Sequence, residues 1–234
     1  MDFSSIKEYL KPDLDRVQDL MNTSLASDIE LLDKTNQRVL AHSGKQVRPV
    51  LALLTAKACS GGFVTEETIH FAAAAELIHT ATLLHDDVAD NSPVRRGEPT
   101  VMSLLGGRAS VLLGDYWLVK GIESVLSVNT FSGKVIRIFS NTLSDLAEGE
   151  LLQLQKADTC DTTESDYYRI IYNKTASLFV ASANTAAISV SASDEKRKAA
   201  KLYAECLGIA FQIKDDIFDY EGGDLTGKPS GLDL

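Results

Sequence analysis

A chain of 234 residues, 44% hydrophobic and 24% charged, has the composition of a water-soluble protein and length for one large or two small domains. Its 33 acidic against 23 basic residues leave a net charge of −10, which argues against nucleic acid as a partner, since phosphate backbones need a basic field. The three cysteines, Cys59, Cys160 and Cys206, are far apart and lack metal-ligand spacing, so buried thiols in a reducing, cytoplasmic compartment are expected. No secretory signal is visible, so the glycosylation patterns at Asn22 and Asn173 are chance matches. The longest weakly polar run, Ser177 to Ala192, is broken by Ser, Asn and Thr and is too short to span a bilayer.

Helical periodicity is nearly continuous and strand signals are nearly absent. The pattern predicts helices near 13–34, 48–59, 65–90, 108–128, 131–157, 163–192 and 194–220. All five prolines fall where such helices would start or stop, and Gly61-Gly62, Gly106-Gly107 and Gly222-Gly223 punctuate the joins. The expected fold is all-α: a single domain over 1–234, a bundle of long antiparallel helices whose Ala-rich faces (Phe71 to Ala75, Ala181 to Ala192) allow close packing.

The first chemical cluster is His42-Ser-Gly-Lys45-Gln-Val-Arg48-Pro49, at a loop-to-helix junction. Lys45 and Arg48 are spaced to point to one side of a first turn, where free N–H groups add to the attraction for an anion. The next helix runs from Thr65 into Asp86-Asp87-Val-Ala-Asp90, followed by Arg95-Arg96. Asp86 and Asp90 share one helix face, and such carboxylates repel unless a cation lies between them. His79 falls on the same stripe about 10 Å below Asp86. Glu76-x-x-His79 and Glu67-x-x-His70 match the di-iron bundle spacing, but they face opposite ways on one helix and cannot hold one metal pair. Lys174 sits early in an otherwise apolar helix, where a snorkelling surface role is the plain alternative. Asp215-Asp216-Ile-Phe-Asp219 repeats the first spacing at the end of another long helix. The Gly227-Lys228-Pro229 stretch is not a P-loop, because Pro229 takes the Ser/Thr position and no strand precedes it.

Carboxylates facing each other from two helix ends make a hard oxygen cage suited to Mg²⁺, which keeps waters and bridges to substrate phosphates. Mg²⁺ with Arg and Lys around a diphosphate would stabilise a departing pyrophosphate, and an apolar bundle below would take a hydrocarbon tail. The residues thus point to an enzyme acting on a lipid diphosphate by ionising its C–O bond.

Jointly these motifs resemble those of the trans-isoprenyl diphosphate synthases, the polyprenyl synthetase family. Gly44-Lys45-x-x-Arg48-Pro49, Asp86-Asp87-x-x-Asp90 with Arg95-Arg96-Gly97, Lys174-Thr175, Phe211-Gln212-x-x-Asp215-Asp216-x-x-Asp219 and Gly227-Lys228-Pro229-x-Gly231 stand in the family's order. The resemblance implies an isoprenoid-synthase fold around a central apolar cavity, a homodimer, and about three Mg²⁺ ions held with the substrate diphosphate. It implies head-to-tail condensation of isopentenyl diphosphate with an allylic prenyl diphosphate, giving an all-trans product and pyrophosphate. Lys45, Arg48, His79 and Arg96 would hold isopentenyl diphosphate; Arg95, Lys174, Thr175, Gln212 and Lys228 would contact the allylic diphosphate. Asp86, Asp90 and Asp215 would bind metal, with Asp87, Asp216 and Asp219 in support, and Asp86, Asp90, Asp215 and Lys174 would carry the catalysis. The released pyrophosphate would take the proton.

The chain stops at Leu234, where the family usually continues through several more helices, so C-terminal helices are expected to be missing. Short-chain members block the pocket with an aromatic four or five residues before the first Asp motif. Here those positions are Ala81 and Thr82, predicting a medium- or long-chain product of C20 or more unless Trp117 or Tyr116 closes the tunnel earlier. A class I terpene cyclase would lack the Lys45/Arg48 cluster, and a non-catalytic subunit of a heteromeric synthase would have degraded one Asp motif.

Overall fold

The computed structural model describes residues 2–221, with side chains through Phe218. In chain order the helices are α1 Phe3–Leu25, α2 Glu30–Ala41, α3 Val47–Ser60, α4 Glu66–Ala89, α5 Val101–Leu105, α6 Gly107–Leu126, α7 Ser132–Thr159, α8 Glu164–Ile171, α9 Ser177–Ser189 and α10 Asp194–Glu221. A π-turn, Tyr172–Ala176, joins α8 to α9, and the antiparallel pair β1 Val94–Arg95 and β2 Glu98–Pro99 follows α4. The all-α expectation holds, and no helix among the described residues is long and apolar enough to cross a membrane.

The amino-terminal region departs from prediction. A helix expected over 13–34 is two helices, and Pro12 lies inside α1 instead of at its start. Asp2 caps α1 by accepting from the Ser5 N–H at 2.8 Å. Leu10, Leu14, Val17, Met21 and Leu25 form one buried stripe across the proline. Burying each contributes roughly 2 kcal/mol, which outweighs a proline penalty of about 3 kcal/mol in a helix interior. The break comes at Ser27, whose hydroxyl accepts from the Ile29 N–H at 3.2 Å and so competes with the helix ladder. Buried Asn36 then ties the pieces together: its amide donates to the Leu25 carbonyl at 2.7 Å, and its Oδ1 accepts from Trp117 Nε1 at 2.8 Å. Trp117 is thereby committed to the α1–α2 side of the core.

Helix α4 is the centre of the bundle. Thr65 and Thr68 form a reciprocal capping box at its start, and Phe71 through Ala75 are fully buried. Such all-round burial marks a helix enclosed on every side. One flank, with Leu77, Ala81 and Leu84, packs among residues of α1, α3 and α6; the other, with Phe71, Ala75 and Ile78, packs against α7 and α9. The Asp-rich end of α4 is therefore presented by a helix packed on both flanks.

The helix expected over 163–192 is also interrupted. Thr163 and Asp166 cap α8 reciprocally, and the chain then widens into the π-turn before α9. Two helical glycines grip that turn. A Cβ on Gly149 of α7 would lie 2.8 Å from Asn173 Cβ and 3.0 Å from the Lys174 nitrogen, and one on Gly208 of α10 would lie 2.6 Å from Ala176 Cα. Close approach on both sides requires glycine at each position.

Candidate active site

The end of α4 places its three aspartates in three settings. Asp86 is partly buried, within electrostatic reach of Glu150 on α7 and Lys174 in the π-turn. Burial pushes its carboxyl up to about 7; Glu150 and Asp90 push the same way, while Lys174 and Arg95 oppose them. Asp87, about 100° round the helix, is 4% exposed and accepts from Arg95 Nε at 2.7 Å. Asp90 is exposed at the C-cap, its N–H donating to the Asp86 carbonyl at 2.8 Å.

Opposite Asp86, Lys174 is not a snorkelling residue. Its Nζ lies 3.1 Å from Glu150 Oε2 and donates to Gln153 Oε1. Thr175 donates to Gln212 Oε1, Gln212 donates to Asp216 Oδ1 at 2.8 Å, and the Tyr167 hydroxyl donates to Asp216 Oδ2 at 2.6 Å. The π-turn and the second Asp motif are thus brought together through Gln212 and Asp216, while Asp215 is exposed. The side chain of Asp219, and Lys228 with the rest of the Gly227 motif, lie outside the described residues.

Among the described residues, no group of three or more His, Cys, Asp and Glu side chains converges to hold an ion. The reason is visible in the partners: Asp87 is taken by Arg95, and Asp216 by Tyr167 and Gln212. Asp86 feels the charges of Glu150 and Asp90 and, against them, of Lys174, without the three carboxylates closing on one point. Asp86 and Asp90 are hard oxygen donors of the kind Mg²⁺ takes one or two at a time, completing its octahedron with water and phosphate oxygens.

The basic cluster is split by depth. Lys45 lies exposed in the turn before α3, whereas Arg48 is buried in its first turn, so the two do not share one exposed face. Arg48 Cζ stands 5.0 Å from the Phe179 ring centroid, and its Nε has no hydrogen-bond partner. Burial lowers its guanidinium to about 10, so it stays charged at neutrality. Its nearest compensation is Glu76, 2% exposed and with Oε2 unpartnered. Burial raises the Glu76 carboxyl to about 7 against the attraction of Arg48 and Arg96. Burial, then the charges of Arg48, Arg96 and Arg95, hold His79 well below the usual histidine range, so its imidazole is neutral. Beyond His79 a cleft runs between α2, α4 and the β1–β2 hairpin, lined by Arg38, His42, His79, Asp87, Arg95 and Arg96.

Glu76 makes stability depend on pH. Between its ordinary 4.5 and its folded value of about 7, the folded chain binds a proton that the unfolded chain has released. Stability therefore falls as pH rises through that window, and Asp86 contributes in the same direction. Glu76→Gln is expected to flatten part of this decline and to stabilise the protein above pH 7 by about 1 kcal/mol or more. Urea midpoints from pH 5 to pH 8 that run parallel for the two proteins would refute it.

Sequence reasoning weighed Glu76 only within a di-iron spacing and missed Glu150, Gln153 and the Asp216–Tyr167 contact. Two signals were present: an acid inside the apolar run Phe71 to Ile78, and a glycine inside Glu148-Gly149-Glu150, where helix interiors disfavour it by about 1 kcal/mol. Of the chain-length positions, Ala81 is 1% exposed in the core, and Thr82 donates to the His79 carbonyl at 2.8 Å.

The chain belongs to the polyprenyl synthetase family, whose model matches residues 29–234. It is 38% identical over 235 aligned positions to octaprenyl diphosphate synthase of Escherichia coli, covering 100% of this chain and 72% of that one. Its fold matches a polyprenyl synthase from Caulobacter crescentus, solved with calcium and isoprenyl diphosphate, at a TM-score of 0.91 and 33% identity over 99% of this chain and 70% of that one. A decaprenyl diphosphate synthase from Rhodobacter capsulatus matches at 0.90 and 36% identity, covering 98% and 70%.

Proposed function

We propose that the chain is a prenyltransferase that condenses isopentenyl diphosphate head to tail with an allylic prenyl diphosphate, giving an all-trans polyprenyl diphosphate and pyrophosphate. One observation carries the reading: Asp86 is held partly buried, its charge disfavoured by Glu150 and Asp90 and favoured by Lys174. Such a setting suits a cation that arrives with a diphosphate. When bound, Mg²⁺ would supply positive charge to the oxygens of the leaving diphosphate.

Asp86 and Asp90 would hold the metal, with Asp215 and Asp219 from the second motif, and Asp87 would set Arg95. Lys174, Thr175, Gln212, Arg95 and Lys228 would bind and orient the allylic diphosphate. Arg48, Lys45, neutral His79 and Arg96 would hold the diphosphate of isopentenyl diphosphate. The allylic C1–O bond breaks, the isopentenyl double bond attacks C1, and the proton lost from the new chain goes to the released pyrophosphate. The described side chains need only bind, orient and exclude water. Calcium and isoprenyl diphosphate in the Caulobacter crescentus structure support the pairing of a divalent ion with a diphosphate on this fold.

We read 1–234 as one domain acting as a homodimer. Leu112, Val119 and Leu126 are 60%, 52% and 55% exposed and recur every second turn of α6, an apolar stripe a second copy would cover. A cytoplasmic setting agrees with cysteines that are all unpaired, although Cys160 and Cys206 are exposed and not the buried thiols expected.

The test is incubation with isopentenyl diphosphate, allylic primers of increasing length and Mg²⁺. Pyrophosphate release that needs all three is expected; its absence would overturn the proposal. A product of C20 or longer is expected, in keeping with the octaprenyl and decaprenyl names of relatives. Ala81→Phe should shorten it, at a cost of about 1–3 kcal/mol from overpacking a full core. Unchanged chain length of radiolabelled product would end Ala81's assignment.

A further inference from the structure

The Arg-bearing hairpin is locked to the end of α2 and the loop that follows it. Glu98 of β2 accepts from Arg38 Nη2 at 3.3 Å and lies 3.9 Å from His42 Nε2. Arg96, itself at φ 54, reaches back so that its Nη1 donates to the His42 carbonyl at 3.4 Å. In doing so its guanidinium crosses the α carbon of Gly44. A Cβ built there would stand 2.1 Å from Arg96 Nη1, 2.5 Å from Cζ and 3.0 Å from Nη2.

We infer that Gly44 is a positioning residue for Arg96: its missing side chain is the groove that seats the guanidinium toward the isopentenyl diphosphate side, an inference that rests on the role proposed above for Arg96. Two features separate this from an ordinary turn glycine. First, the atoms in the way are the free end of a flexible side chain, so a Cβ would move Arg96 and leave the fold in place. Second, the φ of +74° at Gly44 has a match in Gly61, at +86°, where a Cβ would meet nothing within 4 Å. Gly61→Ala thus reports the cost of a left-handed backbone alone.

Steady-state kinetics on the full chain test this with Gly44→Ala, Arg96→Ala, the double variant and Gly61→Ala. Gly44→Ala is expected to raise KM for isopentenyl diphosphate on the order of tenfold or more, with KM for the allylic primer and kcat changed far less. The double variant should be no worse than Arg96→Ala, since one displacement cannot be suffered twice. Gly44→Ala and Gly61→Ala should lower the melting midpoint equally, with kinetics unchanged in Gly61→Ala. If Arg96→Ala raises KM but Gly44→Ala does not, or if the two effects multiply, the positioning role is overturned while the Arg96 assignment stands. An unchanged KM in Arg96→Ala would instead remove the Arg96 assignment and the inference with it.

Discussion

Asp86→Ala is expected to lower turnover by roughly 10²–10³-fold or more, the scale seen when one group stabilising transition-state charge is removed, while the protein folds as well as before. Above neutrality, in metal-free buffer, its melting midpoint should stay level or rise. Burial and the neighbouring carboxylates of Glu150 and Asp90 disfavour the ionised form, so the folded chain bears a cost that alanine removes. A residue retained for packing would behave oppositely, losing stability and activity together. Paired thermal melts and pyrophosphate-release assays decide between them.

Gly149→Ala should cost both stability and turnover although it adds only a methyl group. The new Cβ would sit 2.9 Å from Lys174 Cγ as well as 3.0 Å from its backbone nitrogen, and a backbone atom cannot swing aside. Overpacking of this kind costs about 1–3 kcal/mol, more than the roughly 1 kcal/mol alanine contributes in helix propensity. The midpoint should fall by several degrees, and kcat should fall with it because Lys174 is displaced from Glu150 and Gln153. Gly133→Ala in the same helix is the internal comparison: nothing lies within 4 Å of its added Cβ, so propensity alone should act and stabilise. Equal behaviour of the two variants would show that α7 and the π-turn are not in contact as described.

Much of this site was legible from local pattern. Asp86 and Asp90 on one face, Asp215 at a second helix end, Arg48 at a helix start and Lys174 in an apolar stretch all break hydrophobic periodicity, and a charge in such a place demands a ligand or a partner. Which of the two it has is not a local property. Asp87 and Asp216 read as supporting acids, but their partners were not legible: one is bound by Arg95 and the other by Tyr167. Pro12 reads as a boundary, yet a buried stripe carries α1 through it.

By itself the sequence determined the helical architecture and the two acidic helix ends, because periodicity and charge spacing act within one element. Only the tertiary structure decided that Glu150 belongs beside Asp86, that Glu76 lies buried near Arg48, and that Gly44, Gly149 and Gly208 are gaps through which other chain segments pass. Those relations join positions far apart in the chain, and they exist because close packing leaves each buried group a single set of neighbours.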